Sequence, residues 1–474
     1  MTMSKDYGTN RIKRSGTFLI LLSMISLSLA FSGCGSSGEL TWSITGTVSS
    51  GGTPLAGVTV SLSGPSSGVY TTDSNGNYSF GGLSPGTYTV TPSLAGYTFV
   101  PTSRPAYLYG NNAEGFNFNA SRGLSGSATN HTLYRHSDGT VRAWGLNNKG
   151  QLGDGTTTNS AVHVTVAGLT NMTSVAAGNE HSLALKSDGT VWGWGSNSNG
   201  QLGNGTTAGS QLSPVQVSGL TNVTAIAAGV NFSLALKSDG SVWAWGYNGS
   251  GQLGDGTTTD RSTPVYVNMV AQVAIAAGFD HSVAMTSVGA VWTWGNNSNG
   301  QLGNGSTTNS SVPVLAGPGI LAGALAISAG NKFTVALLRN YLSSYLWAWG
   351  RNSNGQLGDG TNNERWTPVQ VSGLAGMTAI AAGENHAISL KGDGTVWAWG
   401  DNSNGQLGDG TTTARWTPVQ VNTLTGAQGI AAGYQDSFAS TTIGAVWAWG
   451  DNIYGQLGDG TTTDRWSPVQ ITLP

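Results

Sequence analysis

A tryptophan-rich stretch that returns seven times, set among apolar–polar alternation and glycine-rich turns, predicts an all-β fold. The architecture it points to is a seven-bladed β-propeller with a small N-terminal β-sandwich domain. The stretch is VWAWGDNSNGQLGDGTT, from Val396 to Thr412. The second tryptophan of its W-x-W-G unit falls at Trp144, Trp194, Trp245, Trp294, Trp349, Trp399 and Trp449, at spacings of 50, 51, 49, 55, 50 and 50. A fixed period of this size marks stacked copies of one supersecondary unit, each unable to bury its apolar face alone. Composition agrees. Charged residues are only 9% of the chain, against a usual ~25%. Low charge often accompanies disorder, but 16 of the 17 tryptophans fall at repeating positions, which indicates packed structure instead.

Taken in order, the chain opens with Lys5, Arg11, Lys13 and Arg14, followed by an apolar run from Phe18 to Phe31. That run has 14 residues, short of the roughly 20 needed to span a bilayer. It ends in Phe31-Ser32-Gly33-Cys34, and Cys34 is the only cysteine, so no disulfide framework exists. This segment resembles the lipobox of bacterial lipoproteins, with Phe31 where leucine is usual. The resemblance implies a lipoprotein signal peptide over 1–33 and lipidation (palmitate) at Cys34. Attached acyl chains would anchor the protein to the cell envelope. Gly35 and Ser36 favour the outer membrane, facing periplasm or exterior, and residues 34–42 serve as a tether.

Residues 43–119 read as strands and turns: ITGTVSS, GVTVSLSG, GNYSFGGL and GTYTVTPS alternate at period two between Gly, Pro, Asn and Ser clusters. Asp73 to Phe80, followed by Leu83-Ser84-Pro85-Gly86-Thr87-Tyr88, resembles the prealbumin-like sandwich appended to many carboxypeptidases and bacterial surface proteins. Its few charges offer no acid–base pair. Asp73, Asn75 and Asn77 suit an Asx-type turn better than a calcium site.

Residues 120–474 hold the repeats. Each copy offers four strands, exemplified by TAIAAG, HAISLK, TVWAWG and PVQV. Ser-Asp-Gly and Gly-Asp-Gly turns supply the positive φ that tight hairpins need. The small Ala-Ala-Gly ends should crowd the central axis, and four short antiparallel strands per copy define a propeller blade. The last copy ends in Ser467-Pro468-Val469-Gln470-Ile471, and no P-V-Q-V strand precedes the first. The C-terminal strand is therefore expected to complete blade one and close the ring, removing exposed sheet edges.

V-W-x-W-G-x-N-x-x-G-Q-L-G-D-G-T with A-A-G-x-x-H-S resembles the regulator-of-chromosome-condensation repeat family of seven-bladed propellers. The likeness covers about 350 residues. It departs at Arg142, where other copies have Trp, and at an insertion around Tyr341 to Tyr345. In that family the W-x-W-G tryptophans pack blade against blade, which is the role implied for the seven named above. A plant photoreceptor of the family senses ultraviolet light through a G-W-R-H-T segment; here Gly178-Asn179-Glu180-His181 and its equivalents contain no Trp. The loop behind the family's guanine-nucleotide exchange activity is not visible either.

His131, His181, His281 and His386 share one repeat position with Phe232, Phe333 and Asp436, which suggests half-buried packing. No catalytic triad, metal cluster or cofactor motif stands out, so neither enzyme activity nor a cofactor is expected. A net charge of −3 without a basic patch argues against nucleic acid. Function should lie in the positions that vary between copies, namely the pair after Ala-Ala-Gly and the residue after W-x-W-G. They supply a candidate binding face of Glu180, Tyr247, Phe279, Asp280, Lys332, Arg351, Glu384 and Tyr434. Aromatic and Arg anchors on scaffolded loops favour a macromolecular partner, foremost a protein of the envelope or exterior. The Arg-Trp pairs, including Trp366 and Trp416, are expected on the opposite loop set. Alternative readings are a structural or adhesive matrix component and, behind it, a polysaccharide-active enzyme using Glu180, Asp280 and Glu384.

Overall fold

Each repeat folds as one four-stranded antiparallel sheet, and seven such sheets follow one another along the chain. The computed structural model describes residues 41–474 apart from 51–52, 94–96, 101–103, 123, 126–129, 137, 322, 340–342, 442–444 and 474. The expected signal peptide, Cys34 and most of the tether lie outside the described residues.

Blade six shows the pattern. Its strands, from the axis outward, are Met377–Ala382, His386–Lys391, Val396–Gly400 and Arg415–Gln420. The second strand is buried along nearly its whole length, because neighbouring blades cover both its faces. The outermost strand is the most exposed, and it alone tolerates proline, whose missing N–H would break an inner ladder. The hairpin between the second and third strands is tight. Gly394 (φ +82°) donates its N–H to the Lys391 carbonyl, and Asp393 Oδ1 accepts the N–H of Thr395 at 3.0 Å.

The tryptophan lock repeats at every boundary. A fully buried indole leaves an N–H that needs an acceptor. Trp449 Nε1 donates to the Gln406 carbonyl of the preceding blade at 2.9 Å, and five further pairs from Trp194–Gln151 to Trp399–Gln356 do the same. Gly408, at φ +67°, lies so close to this indole that an added Cβ would sit 2.8 Å from Nε1. The G-Q-L-G loop is therefore the socket for the next blade's tryptophan. Asn402 organises that loop. Its Nδ2 donates to Asp409 Oδ1 at 3.1 Å, while its Oδ1 accepts the Leu407 N–H at 2.9 Å.

Closure differs from the sequence expectation. Blade one consists of Leu124–Ser125, His131–Arg135, Val141–Gly145 and Ser160–Thr165, all contiguous in the chain. The C-terminal strand Arg465–Ile471 pairs with Val446–Gly450 and so belongs to blade seven, not blade one. Blade one already owns an outer strand, disguised because His163-Val164-Thr165-Val166 stands where blade two, for example, reads Pro214-Val215-Gln216-Val217. The ring closes by the same lock as elsewhere: Trp144 Nε1 donates to the Gln456 carbonyl at 2.8 Å.

The N-terminal sandwich packs two sheets around one core that includes Val48, Val60, Tyr78, Tyr88, Val90 and Phe118. One sheet is built on Trp42–Ser50, which pairs with Thr53–Pro54, Asn77–Leu83 and, in parallel, Phe118–Arg122; Tyr97–Val100 borders the last. The other runs Gly68–Thr71, Thr59–Ser63, Gly86–Ser93, Arg104–Leu108. Strict alternation along Gly86–Ser93 places Tyr88 and Val90 in the core. Asp73 closes an Asx-type turn. Its Oδ1 accepts the N–H groups of Asn75 and Asn77, at 2.9 and 2.8 Å.

The route from sandwich to propeller fixes which face stays open. The strand Phe118–Arg122 leads into Leu124–Ser125, where Leu124 sits opposite Tyr134 and Ser125 opposite Leu133. The chain thus enters blade one from the Asp-Gly hairpin side. The sandwich is joined to that side, and the loops that follow the inner strands open on the other.

Candidate functional site

The inner strands of blades two to seven end in Ala-Ala-Gly, or Ser-Ala-Gly in blade five, and cannot carry larger side chains at the axis. An added Cβ on Gly383 would meet the His386 ring at 2.2 Å and the Gly433 carbonyl at 2.5 Å. The space these ends enclose is a channel cavity of about 240 Å³, lined by alanines and glycines of successive blades. Phe279, Asn331, Glu384 and Tyr434, from blades four to seven, ring its mouth.

Backbone bonds hold this mouth in shape. In blades two to six the residue after this glycine donates its N–H to a carbonyl of the next blade. Asn179 reaches Val230, Val230 reaches Phe279, Asn331 reaches Glu384 and Glu384 reaches Tyr434, at 3.0–3.3 Å. The two variable windows are also joined within each blade. Tyr247 donates its N–H to Asn231 O, Arg351 to Lys332 O and Asp401 to Asn385 O, at 2.8–2.9 Å. Both windows therefore share one face, as the return of one hairpin beside the other window's strand implies.

All eight candidate residues lie on this face and are half-buried. Their side chains form small networks instead of one cluster. Glu384 accepts from Asn331 Nδ2 at 3.3 Å and Gln435 Nε2 at 3.4 Å, and it is hydrogen-bonded to the Tyr434 hydroxyl. Burial raises the Glu384 pKa, and those bonds oppose the rise. The Tyr434 hydroxyl is pushed up to about 12 by burial and by the Glu384 charge. Burial raises Asp280 too, with Lys332 pulling the other way. Glu180 accepts from Asn148 Nδ2 of the neighbouring blade at 3.2 Å. Glu180, Asp280 and Glu384 thus each have their own partners, in blades two, four and six, and no acid–base pair forms between them. Tyr247 lies over Gly249 of its own loop, and the Arg351 Nε donates to Ser353 Oγ at 2.9 Å. Asn331 and Gln435 complete the mouth network. Both fall in the variable pair after Ala-Ala-Gly, beside Lys332 and Tyr434, but their amide side chains are not among the eight residues expected to carry binding.

Two expectations need correction. The shared histidines are fully buried, and each bonds across a blade boundary: His386 Nε2 to Ser437 Oγ at 2.9 Å, His181 Nε2 to Ser233 Oγ at 3.0 Å. The acceptor lies some fifty residues away in sequence, so packing alone is what interchange with Phe suggests. The Arg-Trp pairs are not on the opposite loop set. Arg365 stands opposite Gly350, Arg415 opposite Gly400 and Arg465 opposite Gly450, which places them on the outer rim of the channel-mouth face.

A seven-bladed propeller with a fixed, polar–aromatic channel mouth defines a scaffold for presenting loops. Its repeats match those of known proteins. Regulator of chromosome condensation (RCC1) repeats are found at residues 138–185, 188–236 and 239–285, and an RCC1-like domain at 270–474. A carboxypeptidase regulatory-like domain matches residues 43–115. The chain is 31% identical over 186 residues to the mitochondrial RCC1 domain-containing protein RUG3 of Arabidopsis thaliana, covering 37% of this chain and 41% of that protein. It is 35% identical over 176 residues to the Ultraviolet-B receptor UVR8 of the same plant, covering 37% of this chain and 28% of the receptor. It therefore spans well under half the length of either relative. Among solved structures, Prp20p from Saccharomyces cerevisiae, reported with its binding to Gsp1p and histones, superposes with a TM-score of 0.61 at 25% identity. That match covers 74% of this chain and 87% of Prp20p.

Proposed function

We propose that this protein is an exported, lipid-anchored binding protein whose channel-mouth face engages another macromolecule, a protein of the envelope or exterior. The observation that carries the reading is directional. The sandwich joins the propeller on the hairpin side, so the mouth points away from the attachment and is free to meet a partner. The similar Prp20p propeller, reported with its binding to Gsp1p and histones, supports protein binding as the mode. Lipid on Cys34, with the cell envelope as location, supplies the anchor in this reading.

Capture from envelope extracts tests it, comparing the intact protein with Phe279→Ala, Tyr247→Ala and Tyr434→Ala. Each variant should lose the partner by about 1–3 kcal/mol while still folding. Equal capture by all three would remove the mouth from consideration. Cys34→Ser should move the protein out of the membrane fraction; continued sedimentation after a high-salt wash would rule out the lipid anchor.

A further inference from the structure

Three half-exposed indoles stand at one equivalent position on three consecutive blades: Trp366 at 49%, Trp416 at 45% and Trp466 at 53% relative exposure. Each follows the Arg that opens its blade's outer strand, on the rim of the channel-mouth face. The equivalence is fixed by a backbone bond repeated at all seven blade junctions. Gly305, Gly360 and Gly410 donate to the carbonyls of Trp366, Trp416 and Trp466; Gly460, Gly155, Gly205 and Gly256 donate likewise to Ala161, Leu212, Ser262 and Ser311, all at 2.9–3.1 Å. The junction forms equally well on alanine, leucine, serine or tryptophan. Blade assembly therefore does not require the indoles, and their exposed surface is left to be explained by something outside the fold.

Their surroundings are nearly neutral. Arg365, Arg415 and Arg465 are each closed at 2.7 Å on a nearly buried carboxylate, Asp359, Asp409 and Asp459. Burial raises those carboxylates, but the bonded threonine hydroxyls and the guanidinium more than offset it, leaving each pKa below its ordinary value. Glu364 and Asp464 are held by Asn299 Nδ2 and the Asn452 N–H respectively. What remains exposed beside the indoles is hydroxyl and amide: Asn362, Asn363, Thr412, Thr413, Thr462 and Thr463.

We propose that this stripe binds a neutral polysaccharide, one chain lying across three blades. A flat indole offers an apolar face, and a sugar ring presents C–H groups on its faces with hydroxyls at its edge, which suits the flanking hydroxyls and amides. Three near-identical units recognise the same chemistry three times, which fits a repeating polymer better than the irregular surface of a folded protein. Linked contacts also add through effective concentration, so individually weak stacking becomes useful affinity. An anionic polymer finds no unpaired cation among these three units. The stripe is separate from the channel mouth and does not depend on the protein-binding reading.

Native electrophoresis of the full chain through gels containing hydroxyethyl cellulose, galactomannan or xylan tests this. The substitutions are Trp366→Ser, Trp416→Ser and Trp466→Ser, because serine already fills the position in blades three and four. The intact protein should be retarded by at least one polymer, each single change should weaken retardation about tenfold, and the triple change should abolish it. The unfolding midpoint serves as the folding control and should stay put. Phe279→Ala and Tyr434→Ala should leave retardation unchanged, which separates this surface from the mouth. Unretarded intact protein in all three gels overturns the proposal, as does equal retardation of the triple variant. A triple variant that loses only a captured protein assigns the stripe to protein contact, and that also overturns it.

Discussion

The boundary between blades six and seven and the boundary between seven and one are built from the same parts with one exchange. At the first, His386 Nε2 meets Ser437 Oγ, and that hydroxyl donates to the Gln406 carbonyl at 2.9 Å. At the second, Thr132 Oγ1 donates to the Gln456 carbonyl at 2.8 Å, but Asp436 replaces the histidine. Asp436 is 1% exposed, and neither carboxyl oxygen has a hydrogen-bond partner. Burial, reinforced by the Asp451 charge, pushes its pKa well above the ordinary value. The comparison separates two contributions. The tryptophan lock is present at both boundaries and suffices to close the ring. The histidine bond adds to it at one boundary, and at the other an acid sits in its place at a cost.

The largest expected effect tests whether the lock is equal at both. Trp449→Ala and Trp144→Ala should each lower stability by about 3–5 kcal/mol in chemical unfolding, since each empties a fully buried site. A much smaller loss for Trp144→Ala would show that the ring is held open at its seam. Next comes the acid. Asp436→Asn, or Asp436→His to restore the bond to Thr132, should raise stability at pH 7 by about 1–3 kcal/mol. The sign follows from linkage: a carboxyl whose folded pKa is raised contributes its full stability below its unfolded pKa of about 3.8 and loses it as pH rises through the folded value. The gain from Asp436→Asn should therefore vanish near pH 3, and a gain that persists there would refute the assignment. A smaller effect is expected at the mouth, where Tyr434→Phe removes one partly exposed bond to Glu384 and should cost about 0.5–1.5 kcal/mol. The smallest is Trp366→Ser, within about 0.5 kcal/mol of the intact protein by thermal unfolding.

Much of this fold is legible in the sequence because its determinants are local. The W-x-W-G spacing, the Asp-Gly hairpins and the Ala-Ala-Gly ends each specify a conformation within a few residues. The shared face of the two variable windows is legible for the same reason, since one hairpin ladder joins them. What escapes is set by contacts between repeats. His163-Val164-Thr165-Val166 lacks the proline of Pro-Val-Gln-Val, so blade one's outer strand is hidden and the C-terminal strand is misassigned to it. The histidine bonds span about one full repeat, and at the seam where Asp436 is buried the joining bonds, such as Thr132 to Gln456, connect residues more than three hundred apart in the chain. Trp366, Trp416 and Trp466 look like three more packing residues until exposure is known. The comparison with Ala161, Leu212, Ser262 and Ser311 shows that assembly does without them.

Chain-contiguous blades have a consequence for symmetry. Every blade carries one socket and one indole plug, so the contact between neighbours is heterologous, head to tail, and such contacts build rings when the rotation closes and filaments when it does not. The peptide links between blades supply order and local concentration, while closure itself is a non-covalent docking event indistinguishable in kind from subunit association. Cutting the chain at an exposed turn between two blades and joining the old termini through a linker would move the seam without altering a single plug or socket. The molecule is in this sense a cyclic heptamer of fifty-residue protomers that happens to be translated as one polypeptide.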